Sequence, residues 1–310
     1  MRQKFTWLKD EWLNQALRMQ GSVLPNILPR VILCGLFGLL ISILHSFDIK
    51  VHWPILSNLV PSIVLGLLLV FRTNTAYDRF WEGRKLWGTL VNTVRNFARQ
   101  IWVSIGEKQT QDIEEKINTI HLLVAFAVAT KLHLRQEPIS PELTNLMTPE
   151  KEAKLKIINY PALEIAFWIG DYLQRQHDEG NLSTYQLSDM FKLLDTMVDV
   201  LGACERILKT PIPLAYSIHI KQLLLSYCLA LPFQMVESLY WFAAPVVAVI
   251  SFAVFGLEAF GLEIENPFGR DPNDLPLDNI CTTMLRNIED LISLAPSVHQ
   301  SIGQPEKSMG

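Results

Sequence analysis

The stretch LVFRTNTAYDRFWEGRKLWG, residues 69–88, joins the end of an apolar run to a segment rich in charged and aromatic residues. Neither a proline nor a run of glycines separates the two parts, so the sequence predicts one helix that continues through both. On that helix Tyr77, Trp81 and Arg84 share a face, and residues of both charge signs lie between them. Protein must surround such a helix on most sides, which one chain can hardly provide alone. The stretch therefore predicts several subunits around an axis.

The composition indicates a membrane part joined to a sizeable water-facing part. Of the 310 residues, 49% are hydrophobic and 19% are charged, and the mean hydropathy is +0.21. This hydropathy is high for a soluble protein, while the charged fraction exceeds that of a bare bundle of membrane helices. The net charge of −4 provides no general basic field, so a nucleic-acid partner is not expected.

Four apolar windows are predicted to cross a membrane as helices, namely residues 31–47, 55–71, 212–233 and 241–261. The first two contain 17 residues each, and a helix of that size is about 26 Å long, just enough to span the hydrocarbon core. Lys221 lies near the start of the third window, where its long side chain can carry the charge outward to the membrane surface.

Basic residues in the loops predict the orientation. They precede the first window, follow the second and precede the third, at Arg2, Lys4, Lys9, Arg18, Arg30, Arg72, Arg79, Arg84, Lys85, Arg206 and Lys209. The short connections 48–53 and 234–240 contain one lysine, Lys50, and no arginine. Because basic loops remain in the cytoplasm, both termini and the long middle segment are predicted to be cytoplasmic. The expected location is a bacterial plasma membrane, with a thylakoid membrane as the alternative.

The predicted organisation has five parts in chain order. They are an N-terminal interfacial and cytosolic helix, a first pair of membrane helices, a cytosolic helical region, a second pair of membrane helices and a cytosolic C-terminal segment. Their bounds are 1–30, 31–72, 73–210, 211–262 and 263–310. In the first part, Trp7 and Trp12 are the predicted anchors at the membrane surface.

Residues 117–134, INTIHLLVAFAVATKLHL, are apolar enough to imitate a fifth membrane helix. However, only nine residues separate His121 from Lys131, and a fifth span would put the loop charges on the wrong sides. A buried core helix is therefore predicted. The proline-rich segment 134–156 predicts loops and short helical pieces, and Ser183 is the predicted N-cap of a later amphipathic helix.

Three large apolar residues, Ile63, Leu67 and Phe71, are spaced four apart on the second membrane helix and form a narrow stripe on one face. On spacing alone, ordinary packing of one helix against another explains such a stripe. The charged continuation of the helix instead favours a position at an axis shared by several subunits.

At this point the sequence resembles the bestrophin family. The run FRTNTAYDRFWEGRKLWG is similar to the signature that follows the second membrane helix in bacterial members. The segment TPIPLAYSIHIKQ, residues 210–222, is similar to the family's entry into its third helix, and GLEIENPFGRDPNDLPLD, residues 261–278, resembles its N-P-F-G-acidic segment. The resemblance implies an all-α membrane protein with four transmembrane helices per subunit, a helical cytosolic domain, and a homopentamer around one axial pore.

The resemblance also implies which residues line that pore. The family's neck positions fall on Ile63, Leu67 and Phe71, and its cytosolic aperture falls on Ile212, directly before Pro213. Rings of large apolar side chains can block ions by excluding water, and small helix rotations re-wet them. The expected function is passive conduction of chloride or other small anions, with a sodium- or potassium-permeable channel on the same fold as the alternative.

In animal relatives the acidic segment holds calcium, and Asp271 and Asp274 match two of its side chains. Here Arg270 and Pro272 interrupt the acidic run, whereas Ca²⁺ needs six to eight oxygen donors. The simpler interpretation is a loop in which Asp271 or Asp274 caps the following helix. No cofactor is therefore required, and Ca²⁺ remains an alternative.

An enzyme, a transporter and a non-conducting scaffold are the alternatives to a channel. The sequence contains no H-E-x-x-H, G-x-S-x-G or phosphate-binding loop, so an enzyme is not expected. Asp78 and Glu82 lie one helical turn apart, as an acid/base pair could, but neighbouring arginines favour ion pairing. A transporter should show internal repeats, which are not visible. A non-conducting membrane scaffold would also fit the layout.

Overall fold

A computed structural model describes residues 12, 14, 18–53, 60–107 and 109–294 of the chain. Most of the predicted N-terminal helix, including Trp7, lies outside the described residues. Trp12 is helical and exposed.

The described residues form α-helices and one short 3₁₀ turn, with no strand among them, which confirms the predicted all-α class. The helices are α1 Leu24–Ser46, α2 Val60–Ser104, α3 Thr110–Arg135, α4 Pro141–Thr144, α5 Pro149–Leu155, α6 Pro161–Asp178, α7 Thr184–Lys209, α8 Leu214–Leu239, α9 Ala243–Glu263 and α10 Leu277–Ser293. The 3₁₀ turn Tyr240–Phe242 joins α8 to α9.

The four predicted membrane windows fall on α1, α2, α8 and α9. Residues 55–59 of the second window lie outside the described residues. As predicted, α2 does not end with its apolar run. The helix extends over 45 residues in all, from Val60 to Ser104. Helix α8 begins at Leu214, two residues later than predicted, because Pro213 takes an extended conformation at its N-cap.

The chain forms two compact units. The first comprises Met1–Trp81 and Thr210–Asp274, and the second comprises Glu82–Lys209 and Leu275–Gly310.

In the first unit, apolar side chains of α1, α2, α8 and α9 share one buried cluster. It contains Ile27, Val31, Cys34, Leu65, Leu69, Ile220, Leu224, Cys228, Leu231, Val247, Phe255 and Ala259. A Cβ atom on Gly38 would lie 3.1 Å from the Ala244 Cα, so this glycine allows α1 and α9 to approach closely. Many large apolar residues of the same helices point outward and remain exposed.

In the second unit, α3 is the central helix. Its residues 122–132 are all buried, which confirms the predicted core helix. Helix α10 is amphipathic and buries one stripe, Leu277, Cys281, Met284 and Ile288. The segment after α3 contains the short helices α4 and α5, as predicted. At the start of α7 the Ser183 amide donates to Gln186 Oε1 at 3.0 Å and the Gln186 amide to Ser183 Oγ at 3.4 Å, a capping box that confirms the predicted N-cap.

Candidate pore-lining surface

The stripe Ile63, Leu67 and Phe71 lies on the outer face of α2 in the first unit. These side chains are 59%, 53% and 55% exposed, whereas Leu65 and Leu69 are at most 4% exposed. At 100° per residue, the stripe is centred about 170° around the helix from the buried residues of α2. Among the described residues, the stripe is therefore left more than half uncovered, and three large apolar side chains are available to another environment.

A buried ion pair fixes the rotation of α2 that exposes this stripe. Arg72 and Glu258 of α9 are each 1% exposed, and the Arg72 Nη1 lies 3.4 Å from the Glu258 Oε1. A second carboxylate, Glu265, lies 3.9 Å from the Arg72 Nη2. The Tyr216 hydroxyl of α8 also donates to the Leu68 carbonyl oxygen at 3.1 Å. Polar contacts on one side of α2 thus leave the apolar stripe on the other side.

Glu258 was not among the predicted site residues, although the sequence contains a signal for it. An acid inside the apolar window 241–261 is costly in a membrane unless it is paired, so it should have directed attention to a basic partner. The partner is Arg72, the residue that directly follows Phe71.

The predicted aperture residue Ile212 lies in the short connection that precedes α8, and its side chain is partly buried. Its backbone amide donates to the Glu265 Oε1 at 3.0 Å. Arg79 reinforces the same connection, because it donates to the Thr210 carbonyl oxygen at 2.5 Å and to the Glu265 carbonyl oxygen at 3.2 Å. Ile212 is therefore held by its backbone, while its role at an aperture stays a prediction.

Asp271 and Asp274 close a tight turn. The Asp274 amide donates to the Asp271 carbonyl oxygen at 3.0 Å, and the Asp271 amide donates to the Asp274 Oδ2 at 2.8 Å. A Cβ atom on Gly269 would lie 2.6 Å from that same oxygen, so a side chain there would require the Asp274 carboxylate to move. The prediction that Asp271 or Asp274 caps α10 is wrong, because Pro276 is the N-cap residue and no side chain caps the helix.

A calcium ion finds few ligands at this turn. Among the described residues, no group of three or more His, Cys, Asp or Glu side chains is arranged to hold a metal ion. Ca²⁺ requires six to eight oxygen donors. Carboxylates alone do not supply such a set among the described residues, and calcium binding at Asp271 and Asp274 stays a prediction.

The comparison with known families decides the classification of the chain. The family described as Bacterial/Fungal Bestrophin protein matches residues 5–290. The chain belongs to the bestrophin family. A bestrophin homolog from Klebsiella pneumoniae, solved as a crystal structure with a point mutation, matches with a TM-score of 0.78 and 28% identity. That match covers 86% of this chain and 99% of the other.

Two relatives of this bestrophin carry the same description, voltage-dependent anion channel-forming protein. The relative from Nostoc sp. (strain PCC 7120) is 62% identical over 293 residues, which cover 94% of this chain and 95% of the relative. The relative from Escherichia coli (strain K12) is 31% identical over 280 residues, which cover 89% and 90% of the two chains.

The second unit of this bestrophin contains a buried charge cluster that ties α3, α4 and α10 together. The Lys131 Nζ, on a residue 1% exposed, donates to the Glu142 Oε2 at 2.6 Å and to the Asp278 Oδ1 at 2.8 Å. The Arg135 Nη1 donates to the Asp278 Oδ2 at 2.9 Å. Burial favours a higher pKa for the Asp278 carboxyl, but the hydrogen bonds from Lys131 and Arg135 outweigh it and lower the pKa to about 2.

The surroundings of Asp78 and Glu82 differ from those of a catalytic acid/base pair. The Glu82 Oε1 accepts a hydrogen bond from the Arg206 Nη2 at 2.9 Å in the second unit. Asp78 is exposed. Glu82 therefore forms an ion pair, as predicted, but its partner Arg206 lies on α7 and is not one of the arginines next to Glu82 in the sequence.

Proposed function

We propose that this bestrophin forms a homopentameric channel that conducts small anions, chloride among them, passively. Ile63, Leu67 and Phe71 of the subunits line its neck, and Ile212 lines its cytosolic aperture. Both termini lie in the cytoplasm. The single observation that carries the proposal is the exposed apolar stripe on α2, which is turned away from the core of its own chain.

The stripe is suited to a gate rather than to a binding site. Its three side chains are large, uncharged and one helical turn apart, so symmetry-related copies would form three stacked apolar rings. Such rings control ion permeation through the width of the pore and the exclusion of water from it, and they contribute little charge. The ion pair of Arg72 with Glu258 supports this arrangement, because it restricts the rotation of α2 just below the stripe.

Because an apolar neck is nearly neutral, the preference for anions must come from charged groups elsewhere along the path. The second unit has a recess of about 410 Å³ whose lining includes Arg84, Arg95 and Asn92 of α2, the helix that also carries the neck residues. Arginine side chains favour anions. The description of both relatives as anion channel-forming proteins supports the same preference.

A cation-permeable pore, for sodium or potassium, is the second candidate. Asp78 favours it, because this exposed carboxylate lies seven residues after Phe71 and hence on the same face of α2 as the stripe. The sign of the permeant ion is therefore the property that an experiment must decide.

The neck is tested by the variant I63A/L67A/F71A. Its matched control is I32A/L36A/L40A, which removes three exposed side chains at the same spacing from α1. Shortening the rings widens and wets the constriction, so single-channel or macroscopic current of the purified protein should rise severalfold for the first variant only. Equal currents for both variants and the wild type would refute the assignment of the neck. No current from any of the three would refute the pore itself.

A further inference from the structure

A groove of about 380 Å³ lies in the first unit between α1, α8 and α9. Its floor contains Cys34, Leu224 and Phe255, which are all buried. Its rim contains Leu33 and Leu225, which are 66% and 56% exposed. The groove is thus open along its side, where the first unit presents its apolar helices outward.

One end of the groove is charged. Arg30 of α1, Lys221 of α8 and Glu258 of α9 all contribute to its lining. Arg30 and Lys221 lie near the first residues of their helices, and Glu258 lies near the last residue of α9. The three charged residues therefore belong to the same end of the helix bundle, and the rest of the lining is apolar apart from the Cys34 thiol.

The charges at this end leave a surplus cation. Glu258 is already paired on both sides, since its carboxylate lies 3.4 Å from the Arg72 Nη1 and 3.7 Å from the Arg30 Nη1. Among the described residues, Lys221 has no carboxylate within ion-pairing distance. The Arg30 side chain is 54% exposed and retains donors that face outward. The charged end is thus complementary to an anion.

Apolar walls extend from the charged end along two helices. Leu225 and Leu229 follow Lys221 by one and two turns of α8, and Leu33 and Phe37 follow Arg30 by one and two turns of α1. At 1.5 Å per residue these walls are about 12 Å long. A ligand that fits must have an anionic head and an apolar tail of comparable length.

We propose that this groove binds one acyl chain of an anionic phospholipid, with the lipid phosphate against Lys221 and Arg30. The argument is charge complementarity combined with the change from charged to apolar lining along the groove. Cations near the polar end of a membrane helix attract anionic headgroups, and the apolar walls take the place of neighbouring lipid tails. A zwitterionic phospholipid offers the same tail but a weaker charge match.

Native mass spectrometry of the purified full-length protein tests the proposal with two probes, phosphatidylglycerol and phosphatidylcholine with identical acyl chains. The wild type should retain phosphatidylglycerol preferentially. K221Q should lower its affinity for phosphatidylglycerol roughly fivefold, the effect of one cation near the membrane surface, and lower that for phosphatidylcholine less. The control K50Q changes a lysine in the connection after α1, outside the groove lining, and should have no effect.

A second pair of variants tests the tail site. L225W fills the groove and should lower phosphatidylglycerol retention, whereas L36W adds the same side chain to an exposed position of α1 outside the lining and should not. Neither measurement requires current, so the result is independent of the proposed channel activity.

Three results would overturn the lipid site. The first is equal retention of the two lipids by the wild type, and the second is a preference for phosphatidylglycerol that persists in K221Q. The third is dissociation of the subunits in L225W with lipid retention intact, which would assign the groove to a neighbouring copy.

Discussion

Helices α2 and α3 both contain apolar windows long enough to cross a membrane, yet their surroundings are opposite. In α2 only 22% of the window is buried within the chain, whereas in α3 the share is 78%. Phe71 and Phe126 illustrate the contrast, since the first is 55% exposed and the second is fully buried. Hydropathy alone does not distinguish these two helices. The distinction comes from what covers each helix: amphipathic helices of the same unit cover α3, whereas the described residues of the chain leave most of the α2 window uncovered.

The largest expected loss of stability comes from a substitution in α3. Phe126→Ala removes a fully buried ring and leaves a cavity, so it should lower the free energy of unfolding by about 3–5 kcal/mol. Phe71→Ala, the matched change on α2, should alter that free energy by less than about 0.5 kcal/mol, because the side chain is exposed. Thermal and denaturant unfolding of the purified protein measure both values. A loss of similar size for the two variants would contradict the contrast between the helices.

The next effect concerns the ion pair behind the stripe. Glu258→Gln leaves the buried Arg72 without the charge of its nearest carboxylate, and breaking a buried pair in this way costs about 3 kcal/mol. Glu265, 3.9 Å from Arg72, remains and moderates the loss. The same unfolding measurement detects the loss of stability in Glu258→Gln.

The double variant Arg72→Met/Glu258→Met provides the control for the ion pair. Because it removes both charges together, it should be more stable than Glu258→Gln. Destabilisation by the double variant equal to the sum of the losses measured for Arg72→Met alone and Glu258→Met alone would show that the residues do not interact.

A smaller effect is expected at Asp278 in the second unit, where charges are also paired but are partly exposed to water. Asp278→Asn should lower the free energy of unfolding by about 1 kcal/mol at neutral pH, since solvent screens a half-exposed pair. The folded-state pKa of the Asp278 carboxyl, about 2, lies below its usual value of 3.8. Its stabilising contribution is therefore complete above about pH 4 and disappears as the pH falls towards 2.

Melting temperatures measured between pH 5 and pH 2 check this pH dependence. The wild type should lose more stability over that interval than Asp278→Asn does. Asp195→Asn, at an exposed position on α7, serves as the control and should follow the wild type. Parallel curves for the wild type and Asp278→Asn would show that the carboxyl is not shifted.

Much of the fold could be predicted from the sequence, because long apolar runs and helical periodicity are properties of local sequence. The continuation of α2 into its charged segment followed from the absence of a proline or a run of glycines at 69–88. The burial of α3 followed from His121 and Lys131, which limit its wholly apolar stretch to nine residues. The cap of α7 at Ser183 followed from the residue types alone.

The parts that failed depend on contacts that residue types and spacing do not specify. The Asp274 carboxylate accepts a hydrogen bond from the Asp271 amide in a local turn and is not at the start of α10. The pairing of Arg72 with Glu258 joins residues 186 positions apart in the chain. For the stripe on α2, periodicity showed only that Ile63, Leu67 and Phe71 share a face. Its exposure became visible only once the other helices of the first unit were in place.

Current through the purified protein in a planar bilayer under a KCl gradient tests the central claim most directly. The proposed anion channel predicts a reversal potential near the equilibrium potential of chloride. A reversal potential near that of potassium would contradict anion selectivity and favour the cation-permeable alternative. The absence of current, in the wild type and in I63A/L67A/F71A alike, would contradict the channel altogether.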